Sequence, residues 1–305
     1  MKVFSFAISA LTGAIATMDA HAHEAVVAGG LPGWSFEGWV VAPMLLSLAW
    51  FGIGIVRLSQ LTNHPRALRR QAAWFLSGWL VLALALVSPL HEAGERSFAA
   101  HMAEHELLML VAAPLLVFAR PIGIALWAFP RGGRRALGAF GRSIRVPWRF
   151  LTTPVIATLL QAAALWLWHA PRWFDLALAH PGWHIAQHVS FLATALLFWW
   201  SVLRGAESSR GAEASRGTGI TVGCLFFTSM VSGALGALMA FSGSAWYAGY
   251  AGTGLDAFGL TPTEDQQLAG LLMWIPGGLV HAGAGLALFT RALRERAGGS
   301  VDAVR

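Results

Sequence analysis

The chain alternates long apolar runs with short polar connections. Seven runs, at 39–58, 72–90, 101–119, 153–169, 184–203, 220–241 and 268–290, stand out. Each is close to the roughly 20 residues that carry an α-helix across a ~30 Å hydrocarbon layer. The pattern predicts an all-α membrane protein, a bundle of about seven transmembrane helices. Ahead of it, Lys2, an apolar run over 3–16 and the triplet Ala20-His21-Ala22 read as a secretory signal peptide over 1–22. The mature chain, 23–305, is then a single helical transmembrane domain. An uncleaved leader would leave the topology of the rest unchanged.

Composition agrees with this reading and narrows the function. Of the 305 residues 56% are hydrophobic and 12% charged, against about 25% charged in an average soluble domain. Too little charge remains to cover a water-facing surface, which excludes a soluble enzyme, a disordered scaffold and a disulfide-stapled secreted module. The net charge of +6 does not indicate nucleic acid, because the basic residues mark topology. Of the 21 Lys and Arg, 18 lie in the last turn of the first, third, fifth and seventh runs or in the segments that follow them, and only Arg96 and Arg172 lie in the alternate loops. By the positive-inside rule the mature N-terminus is outside and the C-terminus cytoplasmic. The long basic segment 120–152 is expected to lie along the inner lipid headgroups. Small residues (Ser229, Gly233, Ala237, Gly277, Gly278, Gly285) suggest close helix contacts in the last two runs.

The candidate chemistry sits at one end of this bundle. Cys224 is the single cysteine, so metal binding would rest on the 11 His, the Met and the carboxylates. In the orientation above, nine of the His fall at or beyond the outer ends of the helices; His64 and His281 are the exceptions, and His281 reads as a packed helix residue. His101 and His105 are spaced i, i+4 at the start of the third run, with Met109 a turn further along the same stripe. His184 and His188 repeat the spacing at the start of the fifth run. Two such faces could surround one or two metal ions. Read singly, either pair is an ordinary set of interfacial histidines; two at one depth favour a site. Glu104 and Glu106 flank the first pair, and Met102, Met239 and Met273 are further soft candidates. His91, His169 and His180 are weaker, as helix-end or loop histidines, and His23 would lie near the mature N-terminus. Asp265 opens the seventh run, where it could cap a helix or orient an imidazole.

Three segments carry a resemblance to a known family. HMAEHELLMLVAAPLLVFARP (101–121), HIAQHVSFLATALLFWW (184–200) and DQQLAGLLMWIPGGLVHA (265–282) resemble, in order and spacing, the signature stretches of the CtaG/caa-type cytochrome c oxidase assembly family. The likeness extends over most of 38–290. It implies a multi-pass protein of the bacterial inner membrane, not an enzyme, that handles copper for the metal centre of a haem–copper oxidase. Its partners would be an oxidase subunit or another assembly factor, with membrane lipid around it and no nucleic acid. His101, His105, His184, His188 and Asp265 match the polar motif positions; Glu106 stands where many members carry Met. The residues by themselves reach a His-rich metal site near the outer face. They leave two rivals open: an intramembrane zinc hydrolase, with Glu104, Glu106 or Asp265 as base, and a bis-His haem b electron carrier.

Overall fold

The computed structural model describes residues 32–62, 64–205, 212–250 and 259–302. The expected signal peptide, with His21 and His23, lies outside the described residues. Within them the chain is helical, with no strand. Helices α1 (Gly38–Ser59), α2 (Pro65–Leu86), α3 (Pro89–Arg96) and α4 (Phe98–Ala119) cover the first three apolar runs. Short helices follow: α5 (Pro121–Ala125), α6 (Arg131–Ser143) and α7 (Arg145–Leu151). The remainder is α8 (Pro154–His169), α9 (Pro171–Ala179), α10 (Pro181–Gly205), α11 (Ala212–Ala240) and α12 (Pro262–Asp302).

Five of these helices are long and apolar enough to cross a membrane. The count reaches seven if α2 with α3, bent by 41°, and α7 with α8, bent by 68°, each make one span. Proline explains where helices begin: α2, α3, α8, α9, α10 and α12 all start at one, where a missing N–H costs nothing and a fixed φ helps. Exposed Leu45, Ile53, Leu80, Phe226, Phe241 and Leu279 give the bundle an apolar exterior, as lipid contact requires and water does not tolerate in patches of this extent.

The core sits between α4, α8, α10, α11 and α12, around Phe98, Met102, Phe174, Phe191, Phe198, Met239 and Met273. Helices α11 and α12 form the most extensive pairing. A Cβ at Gly236 would stand 2.6 Å from the carbonyl oxygen of Gly270, so the two backbones approach at a distance that only glycine permits. The small residues singled out in the sequence lie around this contact with unequal force. Gly233 abuts Trp274 and Gly278 faces Ser229, while a side chain at Gly285 would meet nothing within 4 Å. The basic segment 120–152 folds as α5, a single 3₁₀ turn, α6 and α7, of which only α7 can contribute to a span, together with α8.

Candidate metal centre

Helix α4 carries the first histidine pair, and its start is fixed by two residues. Ser97 accepts the Ala100 N–H at 3.2 Å. Asp265, from the first turn of α12, accepts the Ser97 hydroxyl at 2.8 Å and the N–H groups of Phe98 and Ala99 at 2.7 and 3.2 Å. One carboxylate therefore satisfies the orphan donors of a helix 167 residues away in sequence.

From that anchored turn His101 and His105 point toward α10. His101, His105 and His188 offer ring nitrogens that all lie within 4.8 Å of one another, and all three are buried. His184 stands at the rim, half-buried, with its Nε2 2.8 Å from Nε2 of His188. So the structure brings all four sequence-predicted histidines to one place, three as a compact group and the fourth beside it.

Two residues of lesser prominence in the sequence join them. Glu104 takes a bond from His91 Nδ1 at 2.9 Å and lies 3.5 Å from His188 Nδ1. Tyr250, in the connection between α11 and α12, donates to the Gly94 carbonyl oxygen and lies 3.2 Å from His101 Nδ1. Burial pushes the Tyr250 phenol well above its ordinary range, so it keeps its proton and gives it to Gly94. Its oxygen is then an acceptor for His101 Nδ1–H. That assignment leaves Nε2 of His101 with its lone pair, and among the described residues Nε2 has no hydrogen-bond partner. Tyr250 had one signal in the sequence: it is one of two Tyr in a chain with 18 Phe, a hydroxyl where bulk alone would not need one.

The remaining sequence-predicted residues lie elsewhere. Asp265 is occupied at the start of α4. Met109 and Glu106 line a separate cavity of about 30 Å³ with Gln161, Thr228, Ser232 and His281. Met109 Sδ accepts from Gln161 at 3.1 Å and its carbonyl accepts from Trp199 at 2.8 Å. The reason is local: residues Leu107–Ala112 wind as a π-helix, so the i, i+4 stripe through His101 and His105 does not continue into this turn. His281 is the packed helix residue expected, stacked on Trp199 at 5.8 Å.

A model of the cytochrome c oxidase caa3 assembly factor family (Caa3_CtaG) matches residues 49–295. The chain belongs to that family. The match takes in α4, α10 and most of α12, and with them every residue of the histidine group. No curated protein and no solved structure matches the chain. As a Caa3_CtaG member it is a cytochrome c oxidase assembly factor, and its apolar helices make it a multi-pass membrane protein.

Proposed function

We propose that the chain binds copper in the His101, His105 and His188 group, near the outer face of the bacterial inner membrane, and supports maturation of the oxidase metal centre. The supporting observation is a set of buried ring nitrogens without partners. Among the described residues both nitrogens of His105 and Nε2 of His101 form no hydrogen bond, and Nδ1 of His188 has only the Glu104 carboxylate, at 3.5 Å. Each such group carries a desolvation cost of roughly 1–3 kcal/mol that an ion would offset. Three imidazoles from two helices fit copper or zinc. His184 and Glu104 orient the ligands from outside, as partners around metal sites do. Family membership turns the reading to copper, since a haem–copper oxidase needs copper delivered. An outer placement, from the arginine distribution, lets the ion leave as well as enter. The test is oxidase copper per haem in strains with and without the protein. A lower ratio without it is expected, and an unchanged ratio sinks the reading.

One observation favours zinc hydrolysis as the second reading. Glu104 Oε2 is buried and unpartnered next to the histidines, where a base for a metal-bound water would stand. In that case Glu104→Gln would leave oxidase copper untouched.

A further inference from the structure

His169, which shares the rings of Phe174 and Phe191 with His101 and His105, meets Met102 in a contact that ordinary hydrogen bonding does not satisfy. His169 ends α8, and its Nδ1 lies 2.7 Å from the Leu165 carbonyl oxygen. A carbonyl only accepts, so Nδ1 carries the proton. Its Nε2 faces the Met102 sulfur at 3.3 Å. A thioether has no hydrogen to give, and in the neutral ring Nε2 has none either. Two lone-pair atoms therefore face each other.

An imidazolium would fill the gap with an N–H···S bond, but the site is poor for a charge. His169 is 3% exposed and Met102 fully buried, and among the described residues His169 has no ion-pair partner. An uncompensated buried charge costs more than a weak bond to sulfur returns. Water is a poor occupant as well, since the rings of Phe174 and Phe191 flank His169 at 6.0 and 6.1 Å. The end of α8 is also held in place: Tyr247 donates to the His169 backbone carbonyl at 2.9 Å. An ion with bonds of about 2.0 Å to nitrogen and about 2.3 Å to sulfur would span 3.3 Å at an angle of roughly 100°. That angle leaves room for further ligands, and His105, three residues after Met102 on α4, has both nitrogens unpartnered.

We propose that Met102 and His169 form the soft N/S half of the copper site and make it select Cu(I) over Zn(II). The inference rests on the copper reading above and deepens it. Thioether sulfur is soft and suits Cu(I), whereas zinc is held by imidazole, thiolate and carboxylate. The three histidines alone would accept either ion.

The test uses the full chain in detergent. Cu(I), kept reduced, is titrated against a chromogenic Cu(I) chelator, and Zn(II) against a zinc chelator. Met102→Leu keeps bulk and apolarity and removes only the ligand. It is expected to weaken Cu(I) at least roughly tenfold and to leave Zn(II) within about threefold. X-ray absorption of the Cu(I)-loaded protein should show a sulfur shell that Met102→Leu loses and Met109→Leu keeps. If Met102→Leu binds Cu(I) like the unaltered chain while His105→Ala does not, the inference falls and the histidine reading stands. Equal losses of Cu(I) and Zn(II) in Met102→Leu would also overturn it, because they would mean damaged packing. If the unaltered chain binds no Cu(I), both readings fall together.

Discussion

Asp265 Oδ2 accepts the backbone N–H of Phe98 at 2.7 Å, which ties the first turn of α12 to the first turn of the helix that carries His101 and His105. Its other oxygen takes Ser97 and Ala99. Removing the carboxylate would leave three buried donors unpaired. Asp265→Ala is expected to cost about 2–4 kcal/mol, a cap's worth plus the desolvation of the freed groups. A fall in thermal midpoint checks this. Metal content of the folded fraction should stay near normal; loss of metal without loss of stability would instead make Asp265 a ligand.

The histidines should separate into two ranks. His105→Ala and His188→Ala remove members of the compact group and are expected to abolish binding of Cu(I) or Zn(II). His184→Ala removes a partner of His188 and should weaken binding by roughly 10–100-fold without abolishing it. Competition titrations of the three variants decide this. Equal effects at His184 and His105 would put all four imidazoles on the metal.

How much of this was legible in the sequence follows from distance along the chain. The apolar runs are long enough to declare themselves, and α1, α8 and α10 match theirs to within about three residues at each end. The second run is broken between α2 and α3, where Ser88 caps the new helix by accepting Leu90 N–H at 3.2 Å. An i, i+4 pair is visible because both partners lie on one helix, so His101, His105, His184 and His188 could be found. The His169 contact with Met102 spans 67 residues and that of Tyr250 with His101 spans 149. Helix periodicity carries no information about either. Met109 was placed on the histidine stripe by assuming 3.6 residues per turn throughout, and the π turn at Leu107–Ala112 breaks that assumption.

The approach of α11 to α12 gives a packing test that does not depend on the metal. Gly236→Ala would press a methyl group into the Gly270 carbonyl, and the helices would have to move apart. An expected cost of about 1–3 kcal/mol follows from overpacking. Gly223→Ala, on the same helix α11 with nothing within 4 Å, is the control and should be neutral or slightly stabilising. Thermal unfolding in detergent compares them; equal stability of the two variants would mean that the helices do not meet at Gly236.

By the positive-inside rule the arginine distribution predicts that the histidines face outward. A reporter phosphatase fused after Ser244, in the connection between α11 and α12, is expected to be active outside the cytoplasm. Fusion after Arg296 should be inactive. The opposite result would turn the histidine group toward the cytoplasm and remove the route proposed for delivery.

Glu106 provides the sharpest separation between sequence neighbourhood and spatial neighbourhood. It follows His105 directly, yet its Oε2 lies 3.8 Å from where a Cβ on Gly277 would stand, with Ser232 Oγ 3.9 Å from the same point. That places the carboxylate against α11 and α12, in the cavity with Gln161 and His281, and among the described residues Oε2 has no hydrogen-bond partner. A carboxylate in that setting is costly to keep, and an amide of the same shape gives up its charge while retaining an acceptor. Glu106→Gln is therefore expected to match or exceed the unaltered chain in thermal stability and to bind the same number of copper ions. Elemental analysis of the Cu(I)-loaded protein checks the second point. Loss of an equivalent of copper would draw Glu106 into the coordination sphere and show that the turn after His105 carries ligands on both of its faces.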